Sequence, residues 1–320
     1  MNSVVYRTTG HLLTRETPGQ RRDAIRAASR EATARSRQEM AELHRREIRR
    51  LEERAAERRA HRQAAAKERR AAAKAERRAA DEAQERARML ARFDEELCAT
   101  VERVLPQTMT SPVKIAALVE ATRYVVRSRV PGAVVECGVW RGGSMQAVAW
   151  TLLALGEATR ELHLFDTFEG MPPPSEADTR TTEEGSLSAE KLLAESDKGS
   201  RMWAIAGLDV VKQAMAETAY PGDKVHFHPG LVEDTTPDQA PETIAILRLD
   251  TDWYASTKHE LDHLYGRLSP GGILILDDYG DWDGARKATD EWLTETAEPI
   301  FLAPMGSGCI AVKPHSQTQR

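Results

Sequence analysis

Val135-Glu136-Cys137-Gly138-Val139-Trp140-Arg141-Gly142-Gly143-Ser144 is the stretch that decides the architecture. A short β-branched run ends in an acid and a glycine, then passes through a Gly-Gly pair into a segment rich in Ala, Val and Leu. This pattern predicts strand, tight turn and helix, the opening unit of an open α/β sheet, whose ligands bind beyond the carboxyl ends of the strands. Glycine there lets the backbone approach a ligand or another chain segment closely. The spacing is not G-x-G-x-x-G, because Trp140 stands where the second glycine would fall, and it is not a Walker loop. A nicotinamide oxidoreductase is disfavoured on that ground.

Outward from this stretch, short apolar runs alternate with helix-like segments, as in a mostly parallel sheet covered on both faces. Strands are predicted at 133–137, 161–165, 224–228, 244–249 and 272–276. Two more, 299–303 and 309–313, flank Met305-Gly306-Ser307-Gly308 and read as a closing hairpin. Residues 108–130 carry helical apolar spacing at Ile115, Leu118, Val119 and Ala121, with a stop at Pro131-Gly132. The polar stretch 172–198, opened by Pro172-Pro173-Pro174, is expected to be a mobile lid or a solvated insertion.

Residues 20–97 contain neither proline nor glycine and are dominated by Ala, Arg and Glu, all strong helix formers. One helix of this length would span on the order of 110 Å. Ala41, Ile48 and Ala55 keep a seven-residue spacing, but the same register then meets Arg62, Arg69 and Glu76, so a coiled coil and a lone charged helix both remain open. The expected divisions are a flexible N-terminus at 1–19, the helix at 20–98 and a catalytic domain at 99–320. We expect a homo-oligomer, with the arm as one route to it.

Residues 1–90 hold 24 Lys+Arg against 14 Asp+Glu, a balance of +10, and the remainder carries −15. Nucleic-acid binding is not expected, since acids interleave with the basic residues and no aromatic lies between Tyr6 and Phe93 to stack on bases. No apolar run is long enough to span a membrane and no secretory signal pattern opens the chain, so a cytoplasmic protein is expected. Three scattered cysteines, Cys98, Cys137 and Cys309, indicate packed thiols rather than a disulfide framework.

The chemistry concentrates at predicted strand ends. The second strand ends at Asp166, placed where nucleotide-type cofactors present ribose hydroxyls. The fourth ends Arg248-Leu249-Asp250-Thr251-Asp252 and the fifth Leu276-Asp277-Asp278, so neighbouring strands would converge several carboxylates. Such a cluster repels itself unless a cation intervenes, and all-oxygen ligands select hard ions such as Mg²⁺. Asp250, Asp277 and Asp278 are the candidate ligands. Asp252, two residues beyond the first, is the candidate proton acceptor. His259 and His263 share a helical spacing but lack a third ligand, so zinc is not expected there.

With these residues in place the chain resembles the macrocin and mycinamicin type of sugar O-methyltransferases. The likeness rests on 135–144, Asp166-Thr167-Phe168-Glu169-Gly170-Met171-Pro172, Gly230-Leu231-Val232-Glu233-Asp234-Thr235, Leu249-Asp250-Thr251-Asp252-Trp253-Tyr254 and Asp277-Asp278-Tyr279, in order over residues 108–313. The resemblance implies a doubly wound, seven-stranded, Rossmann-like methyltransferase sheet. It also implies methyl transfer from S-adenosylmethionine to a hydroxyl of a small molecule or glycan, with Mg²⁺ on Asp250, Asp277 and Asp278 and Asp252 as base. By similarity Glu136, Gly138, Val139 and Ser144 line the methionine end of the cofactor, Asp166 with Thr167 the ribose, and Gly230, Val232 and Glu233 the adenine. Thr251 stands where the family often has glycine, and the long arm departs from the family pattern. The rival from another class is an oligomerising interaction protein whose domain binds the cofactor without catalysis.

Overall fold

The computed structural model describes residues 18–182 and 185–315. The N-terminal unit, which ends at Glu82, is described by helix α1, Pro18–Leu90, whose residues 21–64 are all exposed. Its alanines, arginines and glutamates leave no continuous apolar stripe, and Ile25, Met40, Leu43, Ile48 and Leu51 all stand in solvent. The helix stops at Leu90, short of the expected 98, because Asp94 starts a new one. Its carboxylate accepts from the Leu97 backbone N–H and caps α2, Glu95–Val104. Arg123 fastens that cap by donating to Asp94 and Glu96. The expected flexible N-terminus lies outside the described residues up to 17, and residues 18–19 already belong to α1.

The rest of the chain alternates helix and strand. A 3-10 turn, Leu105–Gln107, carries Pro106, and Ser111 then caps α3, Pro112–Arg127, so the helix begins four residues later than the apolar spacing suggests. There follow β1, Ala133–Cys137; α4, Gly143–Ala154; β2, Leu162–Asp166; a small antiparallel pair, β3, Thr179–Thr182, with β4, Gly185–Ser188; and α5, Ala189–Ala194. After these come α6, Leu208–Ala216; β5, Val225–Pro229; α7, Val232–Thr235; β6, Ile244–Leu249; and α8, Tyr254–Leu264. The chain closes with β7, Leu268–Leu276; α9, Asp283–Thr296; β8, Ala303–Met305; and β9, Gly308–Val312.

The seven-stranded sheet runs β5-β2-β1-β6-β7-β9-β8, parallel through β7 and antiparallel at β9 and β8. The chain therefore builds outward from β1 in one direction and from β6 in the other, and the switch between these strands opens a crevice at their carboxyl ends. Alternate strand residues feed two cores. Val134, Leu162, Leu164 and Ile273 pack with Met145 and Leu152 of α4 and Val211 of α6, while Val135, Phe165, Leu247 and Leu274 pack with Leu261 of α8 and Trp292 of α9. Full burial of each such side chain contributes roughly 1.5–3 kcal/mol. A third cluster joins Leu90, Leu97 and Val101 to Ile115 and Ala147.

β8, expected at 299–303, forms only at Ala303–Met305, where it pairs with β9, and two further stretches differ from the sequence expectation for a physical reason. β7 starts at Leu268, ahead of the expected Gly272, because Pro270-Gly271-Gly272 is absorbed as a bulge inside the strand. Gly271, at φ +79°, donates to the Lys313 carbonyl at 2.8 Å. The stretch 172–198 contains β3, β4 and α5 in its described part and is fastened to the sheet's helices. The Asp178 carboxylate accepts from the Tyr254 backbone N–H at 2.7 Å, and Thr179 and Thr181 donate to Asp283.

Candidate active site

Five carboxyl-terminal strand ends are held in register by backbone hydrogen bonds that continue past the strands. Gly138 donates to Phe165, Asp250 to Cys137, Asp277 to Leu249 and Gly230 to Asp166, all at 2.8–3.0 Å. The approach of β1 to β6 requires a glycine: a Cβ on Gly138, at φ +84°, would lie 1.9 Å from the Asp250 carbonyl oxygen. Above these ends opens a cavity of about 280 Å³. Gly138, Asp166, Thr167, Gly230, Val232, Glu233, Asp250, Asp252, Asp277 and Asp278 all line it.

Three expected cofactor residues do not. Glu136 is fully buried and accepts from Arg248 at 2.6 Å, Val139 packs into the α4-side core, and Ser144 is buried in the first turn of α4. Strand and helix periodicity turn Glu136 and Ser144 inward, and Val139 is buried from the turn between β1 and α4. Asp166 does face the cavity, but its carboxylate is already engaged: Oδ2 accepts from the N–H groups of Val139 and Trp140, and Oδ1 from that of Phe168. It ties the first turn to the second before it touches any ligand. His259 accepts or donates at Thr236 and stacks on His263, so this pair is satisfied within the fold.

The β6 and β7 ends carry the charge. Arg248, 2% exposed, reaches Glu136 and Asp250 with one terminal nitrogen and Asp277 and Thr110 with the other, at 2.6–2.8 Å. Lys114 of α3 donates to both the carboxylate and the carbonyl of Asp277 at 2.8 Å, and to Asp281 at 3.2 Å. Burial works against the charge of Lys114, but the facing Asp277 and Asp281 hold its pKa above the usual lysine value. Asp277 lies below the usual carboxylate range: burial opposes ionisation, and Arg248 and Lys114 outweigh it.

Asp250 and Asp278 behave oppositely. Burial, and then the neighbouring carboxylates, push both far up, and Asp252 is raised to about 7 by burial and by Asp250. Carboxyl oxygens of Asp250, Asp277 and Asp278 nonetheless lie within 4.8 Å of one another. Two buried cations do not balance this set, and the residual negative charge with its all-oxygen chemistry fits a hard divalent ion. Asp252, strained at φ +65°, accepts from the Trp282 indole N–H at 2.6 Å and donates its own backbone N–H to Asp278.

Sequence reasoning missed Lys114, Thr110, Trp282 and Arg180, which stacks its guanidinium on Trp282 at 4.3 Å. Only the adjacency of Arg248 to the paired aspartates was a local signal. Thr251, in place of a glycine, donates to the buried Glu260 at 3.2 Å.

The profile of the macrocin O-methyltransferase family (TylF) matches residues 31–301. This chain belongs to that family. As a macrocin-type chain it is an O-methyltransferase, and the match takes in most of α1, so the arm is not foreign to the family pattern. It is 35% identical over 185 residues to 8-demethyl-8-(2,3-dimethoxy-α-L-rhamnosyl)-tetracenomycin-C 4′-O-methyltransferase of Streptomyces olivaceus, a match that covers 58% of this chain and 67% of the relative. It is 33% identical over 172 residues to mycinamicin III 3″-O-methyltransferase of Micromonospora griseorubida, covering 54% and 65%. The matched stretch thus spans about two thirds of each relative's length. Among solved structures it is similar to the O-methyltransferase NovP, with a TM-score of 0.56, 27% identity, and 65% of this chain and 83% of the other covered.

Proposed function

We propose that this macrocin-type enzyme transfers a methyl group from S-adenosylmethionine to a hydroxyl of a sugar, on a natural-product glycoside or another glycan, with Mg²⁺ or another hard divalent ion at Asp250, Asp277 and Asp278. The single observation that carries this reading is the gathering of those three carboxylates, over-charged for the two cations that hold them, beside Asp252 in one cavity. The relatives' action on rhamnosyl and mycinamicin substrates supports a glycoside acceptor.

The Gly138, Trp140, Asp166 and Glu233 side of the cavity would hold the donor, and the Asp252, Arg180 and Trp282 side the acceptor. In the reaction the carbon–sulfur bond of the sulfonium breaks, the carbon–oxygen bond of the ether forms, and the hydroxyl proton is lost. A bound cation would supply charge that favours ionisation of that hydroxyl. Asp252 accepts the proton, its carboxylate aimed by the Trp282 N–H. Arg248 and Lys114 keep Asp277 ionised, and Ala189 and Leu193 of α5 packed with Trp253 and Trp282 exclude water.

Asp250→Asn should lower turnover by about 100-fold or more, in line with loss of electrostatic stabilisation at a reacting oxygen, while S-adenosylmethionine binding by calorimetry persists. Full turnover of that variant in chelator-treated buffer would remove the metal from the reading. Incubating candidate glycosides with isotopically labelled S-adenosylmethionine and weighing the products tests the acceptor class.

We further propose that α1 mediates self-association, through its exposed Met40, Leu43, Ile48 and Leu51. Sedimentation of the full chain against one beginning at Ala83, which keeps Leu90 in its core, should show a smaller assembly for the latter. Equal assembly sizes would contradict it. Among the described residues no helix is long and apolar enough to cross a membrane.

A further inference from the structure

A second set of ligating side chains lies on the outer strands, apart from the cavity. His163 of β2 and His226 of β5 are direct register partners, so their rings share one face of the sheet and stack at 4.6 Å. Glu161, two residues before His163, falls on the same face by strand alternation. Its Oε2 lies 3.6 Å from His163 Nε2 and its Oε1 lies 3.9 Å from His226 Nε2, too far for hydrogen bonds. The three ligand atoms lie within 4.8 Å of one another.

Both Nε2 atoms are sealed from solvent without a hydrogen-bond partner among the described residues. His163 itself is 7% exposed, so its nitrogen cannot turn to water. Its protonation pattern is set from behind. The Gln239 side-chain oxygen accepts from His228 Nδ1 at 3.1 Å, which leaves His228 Nε2 to accept from His163 Nδ1 at 3.0 Å. A neutral imidazole carries one proton, so His163 Nε2 is left with a bare lone pair aimed at Glu161 and His226. This is the outer hydrogen-bond chain that fixes the tautomer of metal-ligating histidines.

We propose that Glu161, His163 and His226 bind a divalent transition ion of the zinc type, with solvent completing its shell. Two nitrogens and one carboxylate suit such a borderline ion and not Mg²⁺. Ligand atoms at the usual zinc distances stand roughly 3.4 Å apart in a tetrahedron, so the two glutamate–histidine separations need close by only tenths of an ångström. Lys224, whose ammonium is 3.9 Å from Glu161, is the competing cation, and a third of its side chain is exposed on a stem free to swing away. The ion would pin β5, the outermost strand, to β2, just ahead of the turn at Gly230 that lines the cavity. The carboxylate cluster and this one would thereby select different ions.

The test is calorimetric titration of the chelator-stripped full chain with Zn²⁺ alone and with Co²⁺ alone, in excess Mg²⁺ to occupy the oxygen-rich cluster. One zinc equivalent, a rise in melting temperature and a visible Co²⁺ absorption band are expected. All three should weaken by about 100-fold or vanish in His226→Ala and in Glu161→Gln, which remove ligands at the partly exposed side, and persist in Asp278→Asn. Should His226→Ala not fold, Glu161→Gln decides alone. Zinc binding that is absent in the native chain, or unchanged in Glu161→Gln, overturns the site.

Discussion

The two sides of the cavity are built from different materials. On the β1, β2 and β5 side the contacts are made by the backbone: Gly138 lets two strand ends meet, and Asp166 spends its carboxylate on three amides. On the β6 and β7 side they are made by charge, with Arg248 and Lys114 clamping Asp250, Asp277, Asp281 and Glu136. The first side is held by steric fit and short-range hydrogen bonds. The second is an excess of carboxylates restrained by two shared cations, so it depends on each of them.

The largest effect should therefore come from the charged side. Arg248→Met leaves Glu136, Asp250 and Asp277 buried without their shared cation, and loss of one partner of a buried ion pair costs about 3–5 kcal/mol. Denaturant melts should show a chain close to unfolded. If it remained as stable as the native protein, the distinction between the two sides would collapse.

Gly138→Ala probes the backbone side at its tightest point. The added carbon meets a carbonyl oxygen, and the left-handed conformation adds about 1–2 kcal/mol of strain, so β1 and β6 must part at their ends. A fall in stability accompanied by loss of S-adenosylmethionine binding is expected by calorimetry. Unaltered donor affinity would show that this turn does not shape the donor side.

Trp282→Phe sharpens the comparison within the charged side. Burial and Asp250 raise the Asp252 pKa to about 7 even against the indole N–H, which lowers it, so removal of that donor raises it further. The base acts when ionised, and the acidic limb of the rate–pH profile should move to higher pH, with about a tenfold loss of rate below neutrality. A bound cation shifts both limbs down together and leaves the direction of the difference intact. Superimposable profiles would remove Asp252 from proton transfer.

Asp94→Ala touches neither side and calibrates the others. It removes a helix cap worth about 1 kcal/mol and should leave turnover unchanged. Arg123, and then the Leu97 amide, hold the Asp94 carboxyl below its ordinary value. Its contribution is present above the unfolded-state pKa of about 4 and fades as pH falls through the folded value, so the stability gap to the native chain should narrow in acid. A gap that widened below pH 4 would contradict the ion pair.

The backbone plan was legible in the sequence, and the partners of its charges were not. β1 and β6 are mainly β-branched or aliphatic, interrupted by Glu136 and Arg248, and are followed by a Gly or an Asp, so their limits can be read directly. Asp250, Asp277 and Asp278 could be brought together because consecutive parallel strands end on one side. Lys114 comes from a helix 163 residues away from Asp277, and nothing in its surroundings marks it as other than an ordinary helical lysine. The inward turn of Glu136 and Ser144 was hidden for a related reason: a motif gives position along the chain, whereas strand pleat and helix phase decide which way a side chain points. Asp166 lines the cavity at the end of β2, but the amides that use up its carboxylate belong to every residue and leave no trace in composition. The facing of His163 and His226 likewise depends on strand register.

One carboxylate gives the 172–198 stretch its mechanical character. Asp178 sits so close to α9 that a Cβ on Gly284 would fall 2.1 Å from its oxygen, and the same group receives the first amide of α8. A movement that lifts this stretch must break the hydrogen bond between Asp178 and the Tyr254 amide, two residues after Asp252. A single side chain thereby couples the stretch to the turn that carries Asp252.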